Sequence, residues 1–578
     1  MNVKWKSSGL VGIGIVAGIF LGLNFSAVAQ RETRNPLPLP EIQTLAEVFG
    51  NIKQGYVEPV EDKKLLTGAV KGMLTELDPH SAYLDPEENK EFETSIRGEF
   101  GGLGIEVGTE EGYVKVVSPI EDTPAARAGI KSGDLIVKID DTSTKGISLS
   151  DAVKKMRGKP KTPIKLTVAR KGENRPLEFT LMREVIRVQS VKAKLIEPGF
   201  AHIRITQFQE RTVDDLARAL DRMYKESNGK LTGLVLDMRN NPGGLLHSAI
   251  GVSAAFLDSR KLVVSSNGRL PDTKHEYLAS PEEYSFRTRE DALRGLPAAL
   301  KTVPIVVLVN DGSASASEIV AGALQDYGRG IVIGDSSTHG KGSVQQVVEM
   351  KQLSRALALS PQQKTGAAKF TIQKYYLPSG ASTQLKGVVP DITLPSIEDF
   401  IPMIGESDLP RALVWDRIPS SKFDGAPLDP KVVTPLRQAS LDRQAKLEEF
   451  VYLRKIVDSF KTRQEQKLIS VNLEERRAQK VSDDAFRKEM KAEKDRLAKN
   501  DYAFKPIYLG PPPVPKIKAP KKGGDDDDDL EDFEENETYV KMDVHLRETL
   551  RVLNDAIILG RNRDLWASNH APLTVKGG

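Results

Sequence analysis

Between about residues 186 and 400, short apolar runs of strand length alternate with helical segments. The runs are Ala201–Ile205, Gly233–Asp237, Pro304–Val309 and Gly330–Ile333. That alternation is the signature of an α/β layer around a buried sheet. Three of the runs end in a dense polar or glycine-rich cluster. Asp237-Met238-Arg239-Asn240-Asn241-Pro242-Gly243-Gly244-Leu245 follows one, and Asp311-Gly312-Ser313-Ala314-Ser315-Ala316-Ser317-Glu318 follows another. Thr338-His339-Gly340-Lys341-Gly342-Ser343-Val344-Gln345 comes after the third. Loops at strand ends are where a rigid scaffold presents chemistry, so these clusters hold the candidate site.

The sequence flanking this layer has other textures. Residues 36–96 place Leu45, Val48, Phe49, Ile52, Leu65, Leu66, Val70, Met73 and Leu74 at helical spacing, and Asp78-Pro79-His80 ends the pattern as a turn. From Glu99 to about Glu184, β-branched runs (Gly104–Val107, Tyr113–Val117, Asp134–Ile139, Ile164–Val168) surround one helix-like stretch, Ser150–Met156. This reads as a small β-rich module. Beyond 400 the chain is charged and helical, notably over Asp442–Phe460 and Asp484–Lys499. Pro511-Pro512-Pro513-Val514-Pro515 is expected to be extended, and the acidic run Asp525–Asp529 to be a solvated spacer. A last helix over Tyr539–Leu559 is expected to pack back on the body. The predicted fold class is therefore α/β and multidomain, with helical regions at both ends. The boundaries fall at 1–29, 30–96, 97–185, 186–400 and 401–578.

Composition closes off several chemistries. There is no Cys, so a Cys nucleophile, thiolate metal sites and disulfides are excluded. Seven His without an HExxH pattern argue against a zinc peptidase, and neither metal nor cofactor is expected. Lys and Arg number 83 against 80 Asp and Glu, a net charge of +3, which carries no signature of nucleic-acid binding. At the N-terminus, Lys4 and Lys6 precede an apolar run from Leu10 to Leu23 and then Ala27-Val28-Ala29. This is the pattern of a secretory signal peptide cleaved after Ala29. The run is short for a membrane span, so membrane contact is expected only through an uncleaved leader. The mature protein is expected in a bacterial periplasm.

Ser313, Ser315 and Ser317 lie at a strand-to-helix junction ahead of the helical pattern Ile319–Asp326. Unpaired amides and the helix dipole favour negative charge there. A nucleophile at that point shares those donors with the oxyanion it creates, but serines also simply cap helices. The usual G-x-S-x-G elbow is absent. A base is offered by Lys341, provided burial lowers its pKa by several units from about 10.4, or by His339. The paired Gly243 and Gly244 suit either a tight turn or an anion-facing backbone.

The three clusters, with Leu77-Asp78-Pro79-His80-Ser81 upstream and Lys386-Gly387-Val388-Val389-Pro390-Asp391 downstream, resemble the carboxy-terminal processing peptidases, or tail-specific proteases, over about residues 40–400. The resemblance implies a helical N-terminal segment, a PDZ domain and a protease core with a Ser/Lys dyad. It assigns the nucleophile to Ser315 and the base to Lys341, with Gln345 orienting the lysine. Oxyanion donors would be the amides of Ala316 and of Gly243 or Gly244. Gly101-Gly102-Leu103-Gly104-Ile105 resembles the PDZ loop that binds a peptide carboxylate, with Leu103, Gly104 and Ile105 as its contacts. Pro124–Ile130 and Gly133-Asp134 match further PDZ positions. Between Gly334 and Lys341 the chain is one residue longer than the family pattern, and His339 replaces a typical aromatic residue. Ala412-Leu413-Val414-Trp415-Asp416 resembles the C-terminal extension of longer members. The implied partners are proteins with exposed apolar C-terminal tails, an adaptor lipoprotein or a second copy of the chain. The rival reading is a catalytically latent PDZ scaffold or chaperone-like binding protein.

Overall fold

In the computed structural model of the protein, the described residues are 38–110, 112–120, 122–173, 175–197, 199–285, 290–350, 366–401, 405–420, 423–466, 468–498, 505–507 and 542–560. The leader, the proline stretch and the acidic run lie outside them. The chain divides into two units, 1–73 and 74–578. The described part of the first holds the helix Leu39–Gly55 and all but the last two residues of the helix Asp62–Thr75. Neither helix has a buried residue.

Within the second unit, the β-rich module is a sheet of antiparallel pairs. Ile105–Glu110, Tyr113–Pro119, Leu135–Ile139, Pro163–Ala169 and Leu177–Met182 follow one another across it. Alternate residues point inward, as a half-buried strand requires: Ile164, Leu166 and Val168 are buried with Val114, Val116, Ile136 and Ile139. Ser148 caps the helix Leu149–Met156 by accepting the Asp151 amide at 3.1 Å. The module's entry strand Glu99–Gly102 pairs with its exit strand Glu184–Arg187.

The central sheet has seven strands. Ile392–Thr393, Ile331–Gly334, Ile305–Val309, Gly233–Asp237 and Phe200–Ile205 run parallel; Val191–Glu197 and Lys505–Ile507 close one edge antiparallel. Because both faces are covered, its central strands Gly233–Asp237, Ile305–Val309 and Ile331–Gly334 are apolar but for the terminal Asp237. Ile305, Val307 and Val309 pack on one side beneath the helices Thr212–Glu226, Leu246–Phe256 and Ala316–Asp326. Val306 and Leu308 face the other side, toward Pro430–Lys446 and Val544–Gly560. A second, five-stranded sheet centres on Ala367–Tyr376, which pairs with Ser343–Glu349, Leu262–Gly268 and Ala82–Leu84. The strand Ala82–Leu84 interrupts a region expected to be helical. It is too short for periodicity to register and takes its form from pairing with the distant strand.

The expected helix Asp442–Phe460 is two helices, Pro430–Lys446 and Glu448–Glu465. Leu447 turns extended between them (φ −77°, ψ 136°) and packs against the far-side core, with Phe450 buried behind it. Tertiary burial thus overrides a continuous local pattern. The second expected helix starts earlier, at Leu473, where Asn472 accepts the Glu474 amide at 2.9 Å. The last helix, Val544–Gly560, buries Leu546, Val552, Leu553, Ala556 and Ile557 on the sheet. Among the described residues no helix is long and apolar enough to cross a membrane.

Leu553 packs where Gly233 has no side chain, so Leu553→Ala leaves a cavity under the central sheet. It is expected to lower stability by about 2–5 kcal/mol, measured by denaturant unfolding. An unchanged midpoint would mean that this helix is not integral to the core.

Candidate active site

The three polar clusters meet at the carboxyl ends of adjacent parallel strands. Asn241 joins the first cluster to the second. Its carbonyl accepts the Ala314 amide at 2.9 Å and the Ser317 hydroxyl at 2.9 Å, while its side-chain amide donates to Ile205 O at 2.8 Å. The structure separates the three serines. Ser313 and Ser317 are wholly buried, and their hydroxyls donate to the carbonyls of Met238 (2.8 Å) and Asn241. Ser315 is only half-buried and sits at φ 55°, ψ −108°, immediately before the helix Ala316–Asp326. A non-glycine residue there carries about 1–3 kcal/mol of backbone strain, which marks functional turns. Gly243 faces this turn: a Cβ on it would lie 2.9 Å from Ser315 Cβ and 3.0 Å from the Ala316 nitrogen. A Cβ on Gly244 would lie 2.1 Å from Phe208 O.

The two glycines offered as oxyanion donors differ in how their amides are engaged. The Gly243 amide donates to Asn241 Oδ1 at 2.9 Å, so it is not offered to a substrate carbonyl in this conformation. Ala316, first in its helix, and Gly244 are the remaining candidate donors.

Glu318 draws Ser315 and Lys341 together. Its carboxylate is fully buried. Oε2 accepts the backbone amides of Ser315 (2.6 Å) and Lys341 (3.1 Å), and Oε1 accepts the Thr338 hydroxyl and the Gly340 amide, both at 2.7 Å. Burial raises its pKa to about 7 against the pull of these donors. The Tyr375 hydroxyl bridges the same two residues, lying on the carbonyls of Ser315 (3.2 Å) and Lys341. Val388, from the downstream motif, donates its amide to the Thr338 hydroxyl at 2.8 Å and so fixes the lysine loop.

The Lys341 ammonium donates to Gln345 Oε1 at 2.8 Å. Gln345 is itself oriented by bonds from its Nε2 to Ser343 Oγ (2.9 Å) and Thr371 Oγ1 (3.0 Å). Burial, and then the charge of Lys369, lower the Lys341 pKa to about 8, while Glu406, Glu318 and Asp78 oppose the shift. His339, the other base weighed from sequence, turns toward Glu406 (3.4 Å).

The remaining predicted residues, Leu103, Gly104 and Ile105, lie in the β-rich module. The carbonyls of Leu103 and Gly104 accept the amides of Ala125 (3.0 Å) and Ile120 (2.8 Å). In a trans peptide the amide points opposite to its carbonyl, so the Gly104 and Ile105 N–H groups face away from those partners. Ile105–Glu110 is an edge strand of this sheet. Ile105 and Val107 on that strand, and Leu149 and Val153 on the helix, are partly buried apolar residues.

Comparison with known proteins identifies this architecture. Residues 199–394 match the model of peptidase family S41, 101–181 that of the PDZ domain, and 402–558 the C-terminal domain of tail specific protease. Residues 23–88 match the activating protease CtpB N-terminal domain. A carboxy-terminal-processing protease of Bartonella bacilliformis is 41% identical over 442 residues, covering 74% of this chain and 94% of that protein. The chain belongs to the carboxy-terminal processing peptidases. Carboxy-terminal processing protease CtpB of Bacillus subtilis is 33% identical over 66% of the chain and 76% of its own length. A solved photosystem II D1 C-terminal processing protease is similar at 28% identity and a TM-score of 0.33, over 59% of this chain and 84% of that one. This carboxy-terminal processing peptidase is therefore a serine-type peptidase with a PDZ domain.

Reading from sequence missed Glu318, Tyr375, Lys369 and Glu406 as parts of this peptidase's site. Glu318 had a signal: it stands three residues after Ser315, the spacing of a capping box. The other three reach the site only through tertiary folding.

Two measurements follow. Glu318→Ala leaves three amides and a hydroxyl without their acceptor. It should cost about 3 kcal/mol or more, read by denaturant unfolding, where a loss under about 1 kcal/mol would refute the bridging role. Lys369→Met removes a neighbouring positive charge, so the Lys341 pKa should rise from about 8. Titration of Lys341 by labelled-amine NMR checks this, and a fall or no change would contradict it.

Proposed function

We propose that this peptidase is an exported endopeptidase that captures exposed apolar C-termini on its PDZ domain and cleaves the captured protein with a Ser315/Lys341 dyad. One observation carries the reading: a strained, half-buried Ser315 is held through Glu318 against an equally half-buried lysine whose pKa is lowered to about 8. A lysine near that value is substantially neutral at mildly alkaline pH and can take a hydroxyl proton. Ser315 Oγ attacks the peptide carbonyl as Lys341 Nζ accepts its proton. The oxyanion is met by the amides of Ala316 and Gly244. Lys341 then returns the proton to the leaving amine, and water hydrolyses the acyl-enzyme. Gln345 holds the lysine throughout.

Substrate choice rests on the PDZ groove. The outward-facing amides of Gly104 and Ile105, with that of Leu103, would hold a terminal carboxylate. The unpaired edge of Ile105–Glu110 would add the tail as a strand. Ile105, Val107, Leu149 and Val153 offer an apolar lining, which favours apolar tails. The basic start, apolar run and Ala27-Val28-Ala29 support export to a periplasm with loss of the leader. There an adaptor lipoprotein or a second copy of the chain would join the substrate as partners.

The test uses the wild-type protein and its Ser315→Ala and Lys341→Ala variants on a loosely folded substrate bearing an apolar or a charged tail. Wild type should cut, with preference for the apolar tail, and each variant should lose at least about 1,000-fold while still binding it. Activity should rise with pH through about 8 as Lys341 deprotonates, and EDTA should not change it. Inertness of all three with binding intact would favour the latent scaffold. Cell fractionation, with mass spectrometry of the mature N-terminus, tests export: it should find periplasmic protein beginning at Gln30.

A further inference from the structure

Glu406 belongs to the segment that follows the protease core, yet its side chain is 1% exposed. Its Oε1 and Oε2 lie 3.0 and 2.8 Å from His80 Nε2. Oε2 is 3.4 Å from His339 Nε2, and Oε1 accepts the Gln384 side-chain amide at 2.9 Å. The Glu406 backbone amide donates to His339 O at 2.9 Å. From this carboxylate three arms run to Lys341. His339 precedes the lysine by two residues. Gln384 Oε1 accepts the amide of Gly342, the residue after it, at 2.8 Å. His80 lies in the turn where Asp78 Oδ2 accepts the Ser81 hydroxyl at 2.7 Å. Ser81 Oγ accepts the Thr371 amide at 3.2 Å, and the Thr371 hydroxyl holds Gln345.

We propose that Glu406 is a positioning residue for Lys341, by which the C-terminal region completes the base's pocket. It ties the loop that carries the ammonium to Gln384 and to the His80 turn, and it supplies part of the field in which that ammonium sits. This rests on the reading of Lys341 as the base. Burial pushes the Glu406 carboxyl up, but the bonds from His339, His80 and Gln384 outweigh it and hold the group ionised, well below the usual carboxylate range. The charged groups acting on Lys341 are Lys369 on one strand, Glu318 on the helix, Asp78 in the turn and Glu406. A buried negative charge favours the protonated amine. Removing it therefore lowers the pH at which Lys341 loses its proton, whereas a merely structural role would leave that midpoint in place.

The experiment is competitive labelling of Lys341 in the full-length protein with trace acetic anhydride across a pH series, read by mass spectrometry, alongside the pH profile of cleavage. Glu406→Gln should move the labelling midpoint down by about one pH unit, with the rising limb of activity moving alongside it. Glu406→Asp, which keeps the charge, should return the midpoint toward wild type. A folded Glu406→Gln protein with an unmoved midpoint overturns the proposal. If that variant does not fold, Gln384→Met, which keeps the Glu406 charge but cuts its arm to the Gly342 amide, is labelled instead. Loosening the loop should raise the labelling rate of Lys341 above its midpoint, and an unchanged rate overturns the proposal equally. Labelling needs no turnover, so a wild-type protein that fails to cleave counts against the proposed function and leaves this test intact.

Discussion

The buried carboxylate of Glu318 is the constraint around which the candidate site is organised. A carboxylate without solvent must be met by donors or it protonates. Here all four donors come from the two segments that must meet: one from the serine turn and three from the lysine loop. These segments are connected to different strands of the central sheet, and the sheet alone sets their separation only coarsely. The carboxylate sets it to within a hydrogen bond, and Tyr375 repeats the constraint through the carbonyls of the same two residues. The cost is a strained Ser315, which only such over-determined surroundings can maintain.

Much of this architecture was legible in the sequence because it depends on local pattern. The parallel strands are short and mostly apolar, and both of their faces are in fact covered, so their positions matched closely. The polar clusters after them were visible for the same reason. Ala82–Leu84 was not, because a three-residue strand has no period, and the break at Leu447 was not, because only the buried Phe450 and the far-side core impose it. At the site, sequence brought out residues adjacent to a glycine or serine motif. Lys369 and Glu406 sit in ordinary charged surroundings and gain meaning only when the fold carries them to Lys341. The Gly243 amide shows a different limit: motif spacing locates the loop, but which amide is engaged depends on where the Asn241 side chain turns.

Opposing fields keep the lysine useful. Burial and Lys369 push its proton off; Glu318, Glu406 and Asp78 hold it on. A site with only the first influences would hold an amine too weakly basic to accept a hydroxyl proton. With only the second it would hold a permanent ammonium. The balance draws on residues from the upstream turn, the serine helix, the second sheet and the C-terminal region, so the acid–base character of Lys341 is a property of the assembled chain.

The ribbon between Glu99–Gly102 and Glu184–Arg187 has an architectural consequence. Just outside it, Gly98 O accepts the Val188 amide at 2.9 Å, so the chain leaves and re-enters the protease core at one place. The peptide-reading module is thus a closed excursion, a cassette on a single stem. Under the proposed function, exchange of that cassette for another with the same stem would redirect which tails are read, without asking any strand of the central sheet to move. Evolution can vary recognition and chemistry in this chain on separate schedules.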